Sequence, residues 1–215
     1  MRALGLMGCL LLVGGGCTSA VPERVRTYNA DGIYLFSRGD YRQARDSFQA
    51  ALAVLPEDQS LRYNLAQSCE KLGDLDRAEK LYQESIARDP NHTDSRQALC
   101  VLFVRRGRSA EASRAVEAWL AKEPERADAY ALDGWLWHQA GDLPRAQGRL
   151  QQALQFDSGN VRALNELALV YEEMHRPERA CTLYERSLDV QPNQPELIDR
   201  VNRLKAQGVS FPKPE

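Results

Sequence analysis

Apolar residues in this chain recur in two alternating helical registers. Leu61, Leu65, Cys69 and Leu72 stand at i, i+4, i+8 and i+11, which is one face of a helix. Gly73-Asp74 breaks the pattern, and Gly73 can take the left-handed turn that lets a second helix begin. Ala78, Leu81, Tyr82 and Ile86 then form another apolar face until Asp89-Pro90-Asn91 ends it. The same phrase returns elsewhere: GDYRQARDSFQAALAVLP at 39–56, GDLDRAEKLYQESIARDP at 73–90 and GDLPRAQGRLQQALQFDS at 141–158.

Gly39, Gly73, Gly107 and Gly141 are each 34 residues apart, and in that register the other columns align without gaps. A small column holds Gly32, Ala66, Cys100, Gly134 and Ala168, and a second holds Ala44, Ala78, Ala112, Ala146 and Ala180. Small residues at both let two antiparallel helices approach closely. A bulkier column follows with Phe48, Tyr82, Val116, Leu150 and Tyr184, and Pro56, Pro90, Pro124, Ser158 and Pro192 close the units. One helix pair cannot bury its apolar surface alone, so neighbours must stack and the last must be capped by a half-polar helix. The segment after Pro195 fits that need: Leu197, Ile198, Val201 and Leu204 share a face opposite Asp199, Arg200, Asn202, Arg203 and Lys205.

The period and the columns resemble the tetratricopeptide repeat, whose signature combines a 34-residue unit with small, aromatic and proline positions. The resemblance covers residues 25 to about 208. It implies an all-α, right-handed solenoid of five helix pairs at 25–58, 59–92, 93–126, 127–160 and 161–194, a capping helix at 195–208 and a tail at 209–215. Departures are local. His175 and Pro177 replace the glycine and aliphatic residue of the fifth turn, and Asp31 and Asp133 occupy a leucine column. Trp119 takes a column that is usually alanine, which predicts less regular packing between the third and fourth units, a local repacking rather than a binding role.

The first residues follow a different logic. MRALGLMGCLLLVGGGCTSA has one early cation, Arg2, and an apolar run from Leu4 to Val13, too short to span a bilayer but suited to a signal peptide. Cys17 behind small residues resembles the lipobox of bacterial lipoproteins, although Gly14 stands where leucine is expected. That resemblance implies a signal peptide at 1–16, acylation of Cys17, a short tether at 17–24, and, with Thr18 after the cysteine, an outer-membrane address facing the periplasm. Cleavage after Ala20 would instead release a soluble periplasmic protein.

Chemistry is sparse. No serine-nucleophile elbow, phosphate loop, H-E-x-x-H or dinucleotide turn occurs, and His92, His138 and His175 share no metal-ligand spacing with cysteines. A non-enzymatic protein without cofactor or metal is expected. The formal charge is −2, and no Lys/Arg block interleaves with aromatics, which argues against a nucleic-acid partner. Cys69, Cys100 and Cys181 read as buried small hydrophobes, with a Cys69–Cys100 disulfide left open by spacing alone.

In the resembled fold the first helix of each pair lines a concave groove. The corresponding columns hold Ile33 and Phe36, then Tyr63, Asn64, Gln67 and Lys71, then Gln97, Val101, Val104 and Arg105. Unit four supplies Leu132, Trp135, His138 and Gln139, and unit five Asn165, Glu166, Leu169, Glu172 and Glu173. Apolar anchors beside amides and charges suit an amphipathic helix or extended peptide. Trp135 is the best single anchor, with Trp137 turned to the core. The carboxylate clamp of tetratricopeptide co-chaperones is not matched, since Asp94 and Ala98 stand where cations are required. Anchor and architecture together resemble pilotins and assembly lipoproteins of pili and secretin systems, which implies a secretin or pilus component as partner. A periplasmic adaptor for peptidoglycan hydrolases or proteases and a soluble secreted scaffold are the alternatives.

Overall fold

The computed structural model describes residues 21–206. These form α-helices α1 (Glu23–Ser37), α2 (Tyr41–Val54), α3 (Gln59–Lys71), α4 (Leu75–Arg88), α5 (Thr93–Arg105) and α6 (Ser109–Lys122). They continue as α7 (Ala127–Gln139), α8 (Leu143–Phe156), α9 (Val161–Glu173), α10 (Pro177–Val190) and α11 (Pro195–Ala206). Each helix packs on the next, and odd helices also touch across a pair (α1 with α3, α7 with α9), so the odd helices form the inner layer of an all-helical solenoid. The expected signal peptide, Cys17, Gln207–Gly208 of the cap and the tail lie outside the described residues. The first helix begins at Glu23, so the last two residues of the expected tether are helical.

Turn chemistry sets the helix ends. Gly39, Gly73, Gly107 and Gly141 have φ of +84°, +81°, +72° and +78°, a region that disfavours any residue with a Cβ. Asp58, Asp74, Asp142 and Asn160 cap the helices behind them by accepting the backbone N–H three residues on. His92 does the same through Nδ1, 3.2 Å from the Ser95 nitrogen.

The two small columns do what their size requires. A Cβ on Gly134 would sit 2.5 Å from Leu150 Cγ, and one on Gly32 would sit 2.5 Å from the Phe48 ring. In the same column the Cys100 thiol lies 3.9 Å from the Ala112 carbonyl. Cys69, Cys100 and Cys181 are free and buried. The core falls into two clusters that meet at α7. Ala129, Leu132 and Leu136 join the N-terminal cluster, and Ala131 joins the C-terminal one. α11 caps the stack with Leu197, Val201 and Leu204, but Ile198 remains 41% exposed. Four apolar residues cannot all face inward from a single helix stripe in this short cap, and Ile198 is the one left outside.

Candidate functional site

Half-exposed residues occur on the inner helix of every unit. At the N-terminal end, Ile33, Phe36, Asn64 and Gln67 converge with Ser37 and Phe48 around a socket of ≈ 220 Å³. Ile33 is 54% exposed at its mouth and Phe48 closes the floor. Tyr63 lies beside it, its hydroxyl accepting from Gln67 Nε2 at 2.5 Å and its ring 5.9 Å from Tyr82. Lys71 is exposed at the rim.

Further along, Gln97, Val101 and Val104 are half-buried on α5, and Arg105 pairs back to Glu70 of α3. Trp135 is half-buried against the N-terminal cluster, whereas Trp137, two residues on, packs on the C-terminal cluster under the Arg145 guanidinium at 4.5 Å. The two tryptophans thus divide between the two cores. Leu132 does not belong to this wall. It is 2% exposed and packs within the N-terminal cluster, so its column points into the core in this unit.

The C-terminal wall is polar. His138 is held between two carboxylates of α9, with Nδ1 2.6 Å from Glu166 Oε1 and Nε2 3.0 Å from Glu173 Oε1. Burial disfavours its charge, but the hydrogen bonds to Glu166 and Glu173 outweigh this and raise its pKa above the ordinary histidine value. A histidine engaged at both nitrogens is a cross-link between inner helices. Leu169 and Asn165 follow, half-buried, with Asn165 Nδ2 donating to Gln194 Oε1 at 2.9 Å. Gln139 and Glu173 are exposed, and Glu172 accepts from the Tyr184 hydroxyl at 2.6 Å.

One inner residue escaped sequence reasoning. Arg162 begins α9 in the column that also holds Asp94, and the two pair at 3.8 Å across two units. Beside them Asp128 accepts from Asn160 at 3.0 Å and from Thr93 at 3.4 Å, a polar ladder joining the starts of α5, α7 and α9. Column alignment carried the signal: an acid and a base share one column 68 residues apart. Asp94 thus already faces a cation of this chain, through a solvent-exposed ion pair.

Comparison with known proteins places this geometry. Models of the tetratricopeptide repeat match residues 30–93 and 71–136, and a model of the Psidin N-terminal tetratricopeptide repeat region matches 106–203. Cellulose synthase operon protein C of Xanthomonas axonopodis pv. citri is 30% identical over 179 residues, covering 80% of this chain and 12% of that protein. The protein of that name in Pseudomonas fluorescens is 30% identical over 206 residues, covering 91% of this chain and 16% of its own length. The chain thus spans less than a fifth of these relatives. Among solved structures, a thermophilic repeat protein of Thermus thermophilus superposes with a TM-score of 0.66 at 23% identity, covering 85% of this chain and 99% of that one. A repeat protein of Parabacteroides merdae gives 0.53 at 18%, covering 87% and 75%. Both likenesses concern the fold.

Proposed function

Because this chain belongs to the tetratricopeptide repeat proteins, whose fold binds protein or peptide partners, we propose that it is a non-enzymatic scaffold holding a polypeptide segment along α1–α9. The observation that carries this reading is the socket of Ile33, Phe36, Phe48, Asn64 and Gln67. Its apolar floor suits one buried aliphatic or aromatic side chain, and the two amides at its edge suit the backbone that carries it. Trp135 offers a second anchor, and the His138–Glu166–Glu173 cross-link fixes the wall between the anchors and the C-terminal end.

We place the scaffold at the outer membrane, facing the periplasm and tethered through acylated Cys17. The motivation is the apolar run followed by small residues and cysteine. Residues 18–22 then separate the anchor from α1, a reach of at most about 18 Å, so the partner is an envelope complex near the membrane, of the kind formed by a secretin or pilus. The relatives are named for a cellulose synthase operon, and membership of a multiprotein machine is consistent with that name.

A photo-crosslinking residue at Gln67 in the socket should capture one envelope protein, and the same residue at Gln83 on α4 should not. Equal capture at both positions would remove the groove from the proposal. In parallel, Cys17→Ser should abolish acyl labelling and release the protein from the outer-membrane fraction; unchanged fractionation would refute the anchor and leave the groove reading intact.

A further inference from the structure

The second unit buries an arginine beneath counter-ions that stay in contact with solvent, and the third unit keeps the cations but loses the acids. Arg62, 4% exposed, faces Glu84 at 4.0 Å, and Arg88 pairs with Glu57. One period later the cations persist as Arg96 and Lys122, while Ala118 and Asn91 stand where Glu84 and Glu57 stood. Arg96 lies 4.6 Å over the Trp119 ring and donates Nε–H to the Pro90 carbonyl at 2.7 Å. Among the described residues neither Arg96 nor Lys122 forms an ion pair. The acid at this edge is already engaged: Glu123 accepts from Trp119 Nε1 at 3.1 Å and pairs with Arg126 at 3.7 Å.

These two cations border a cleft of ≈ 430 Å³ that opens between α4 and α6 over α5. Its walls are Ile86, Leu99, Ala115, Val116, Trp119 and Leu132, and no carboxylate lines it. The size is that of a small-molecule site, mostly apolar with a few placed polar groups. Burial pushes the Cys100 thiol on the floor up to about 12, which disfavours the nucleophilic thiolate. A partner that completes the pattern of the second unit must bring an apolar body and the missing negative charge. A guanidinium takes a carboxylate through two parallel hydrogen bonds, and an ammonium adds a point charge beside it.

We propose that this cleft binds a small amphipathic carboxylate, its hydrocarbon or aryl body against Trp119 and Leu132 and its head group on Arg96 and Lys122. The ligand supplies the charge that Glu84 and Glu57 supply one repeat earlier. The site faces away from the peptide groove and is independent of it.

Decanoate, below its micelle concentration, is the probe for calorimetric titration of the purified full-length protein. One saturable site is expected, with decanol, which has the same chain without charge, at least about tenfold weaker, equivalent to 1.4 kcal/mol. Ala118→Glu restores the internal partner of Arg96 at an exposed position and should weaken decanoate at least about tenfold. Far-UV circular dichroism should be unchanged in that variant. Arg96→Gln reads the same loss from the protein side if Ala118→Glu folds poorly. Absence of saturable binding, equal affinity for decanol, or full affinity in both variants would overturn the assignment. So would capture of an acidic–aromatic peptide without capture of the free carboxylate.

Discussion

Two junctions in this solenoid use the same pair of columns and reach different ends. Where α4 meets α5, Ser85 and Ser95 are fully buried and their hydroxyls bond at 3.0 Å, so the helices close tightly. Where α6 meets α7, the same columns hold Trp119 and Ala129, both buried. The indole is accommodated by shrinking what surrounds it: α7 presents Ala127, Ala129 and Ala131, and α6 carries Ala115 and Ala118 toward the cleft. The substitution does not break the stack. The boundary between the two core clusters lies at α7, and a cleft is open beside the indole. A repeat protein can thus gain a pocket by changing one column, provided its neighbours become small.

The largest test exchanges the two junctions. Trp119→Ala should cost about 3–5 kcal/mol in equilibrium denaturation, since it empties a fully packed site whose surroundings collapse only partly. Ser85→Trp should cost about 1–3 kcal/mol or more, because no alanines make room there and the serine pair is lost. Stability loss below about 1 kcal/mol for Trp119→Ala would mean that the indole fills the cleft without organising it.

A smaller effect separates the polar C-terminal wall from the apolar N-terminal one. The His138 pKa is raised in the folded chain, so its contribution is fully present below the unfolded value, about 6.5, and is lost as pH climbs through the folded value. The melting temperature should therefore fall as pH rises above about 6.5. His138→Gln should flatten that slope and cost about 1.5–3 kcal/mol at pH 6, the range of a hydrogen bond to a charged partner. A slope that survives in His138→Gln would place the titrating group elsewhere. Inner-wall residues of the first half, such as Gln67 and Val101, carry no charge to titrate in this range.

The sequence made the architecture plain because the helix pairs repeat the same few constraints: two small columns, a bulky one after them and, in four of the five turns, a glycine. It was less reliable where one unit departs from its neighbours. Leu132 sits in a groove column, yet the junction rebuilt around Trp119 turns it to the core and the cleft. Trp119 reads as a packing irregularity from its column alone, and only the placement of Arg96, Ala118 and Lys122 around it shows a cavity. Ile198 belongs to the expected apolar stripe of α11, but it stands one residue after Leu197, about 100° around the helix, and is 41% exposed. Arg162 and the cations of the cleft were present in the alignment of columns and needed comparison between units 34 or 68 residues apart, since each unit by itself looks ordinary. Periodicity identifies what the repeats share, whereas function lies in where they differ.

The smallest test concerns the turns. Four of them place glycine at positive φ, but the fifth places His175 there at +56°. A residue with a Cβ in this region costs about 1–2 kcal/mol relative to its ordinary conformations. Glycine returns about 0.5–1 kcal/mol of that through the greater freedom of its unfolded chain. His175→Gly should thus stabilise the chain by about 0.5–1 kcal/mol, and Gly107→Ala in an equivalent turn should destabilise it by about 1 kcal/mol. The turn itself is held in both cases by the same bond, Arg176 N–H to the Tyr171 carbonyl at 2.8 Å and Arg108 N–H to the Phe103 carbonyl at 2.8 Å. Because that bond is unchanged, the two substitutions isolate the backbone term. If His175→Gly lowered stability, the imidazole would be making a compensating interaction, and the fifth turn would differ from the first four in kind.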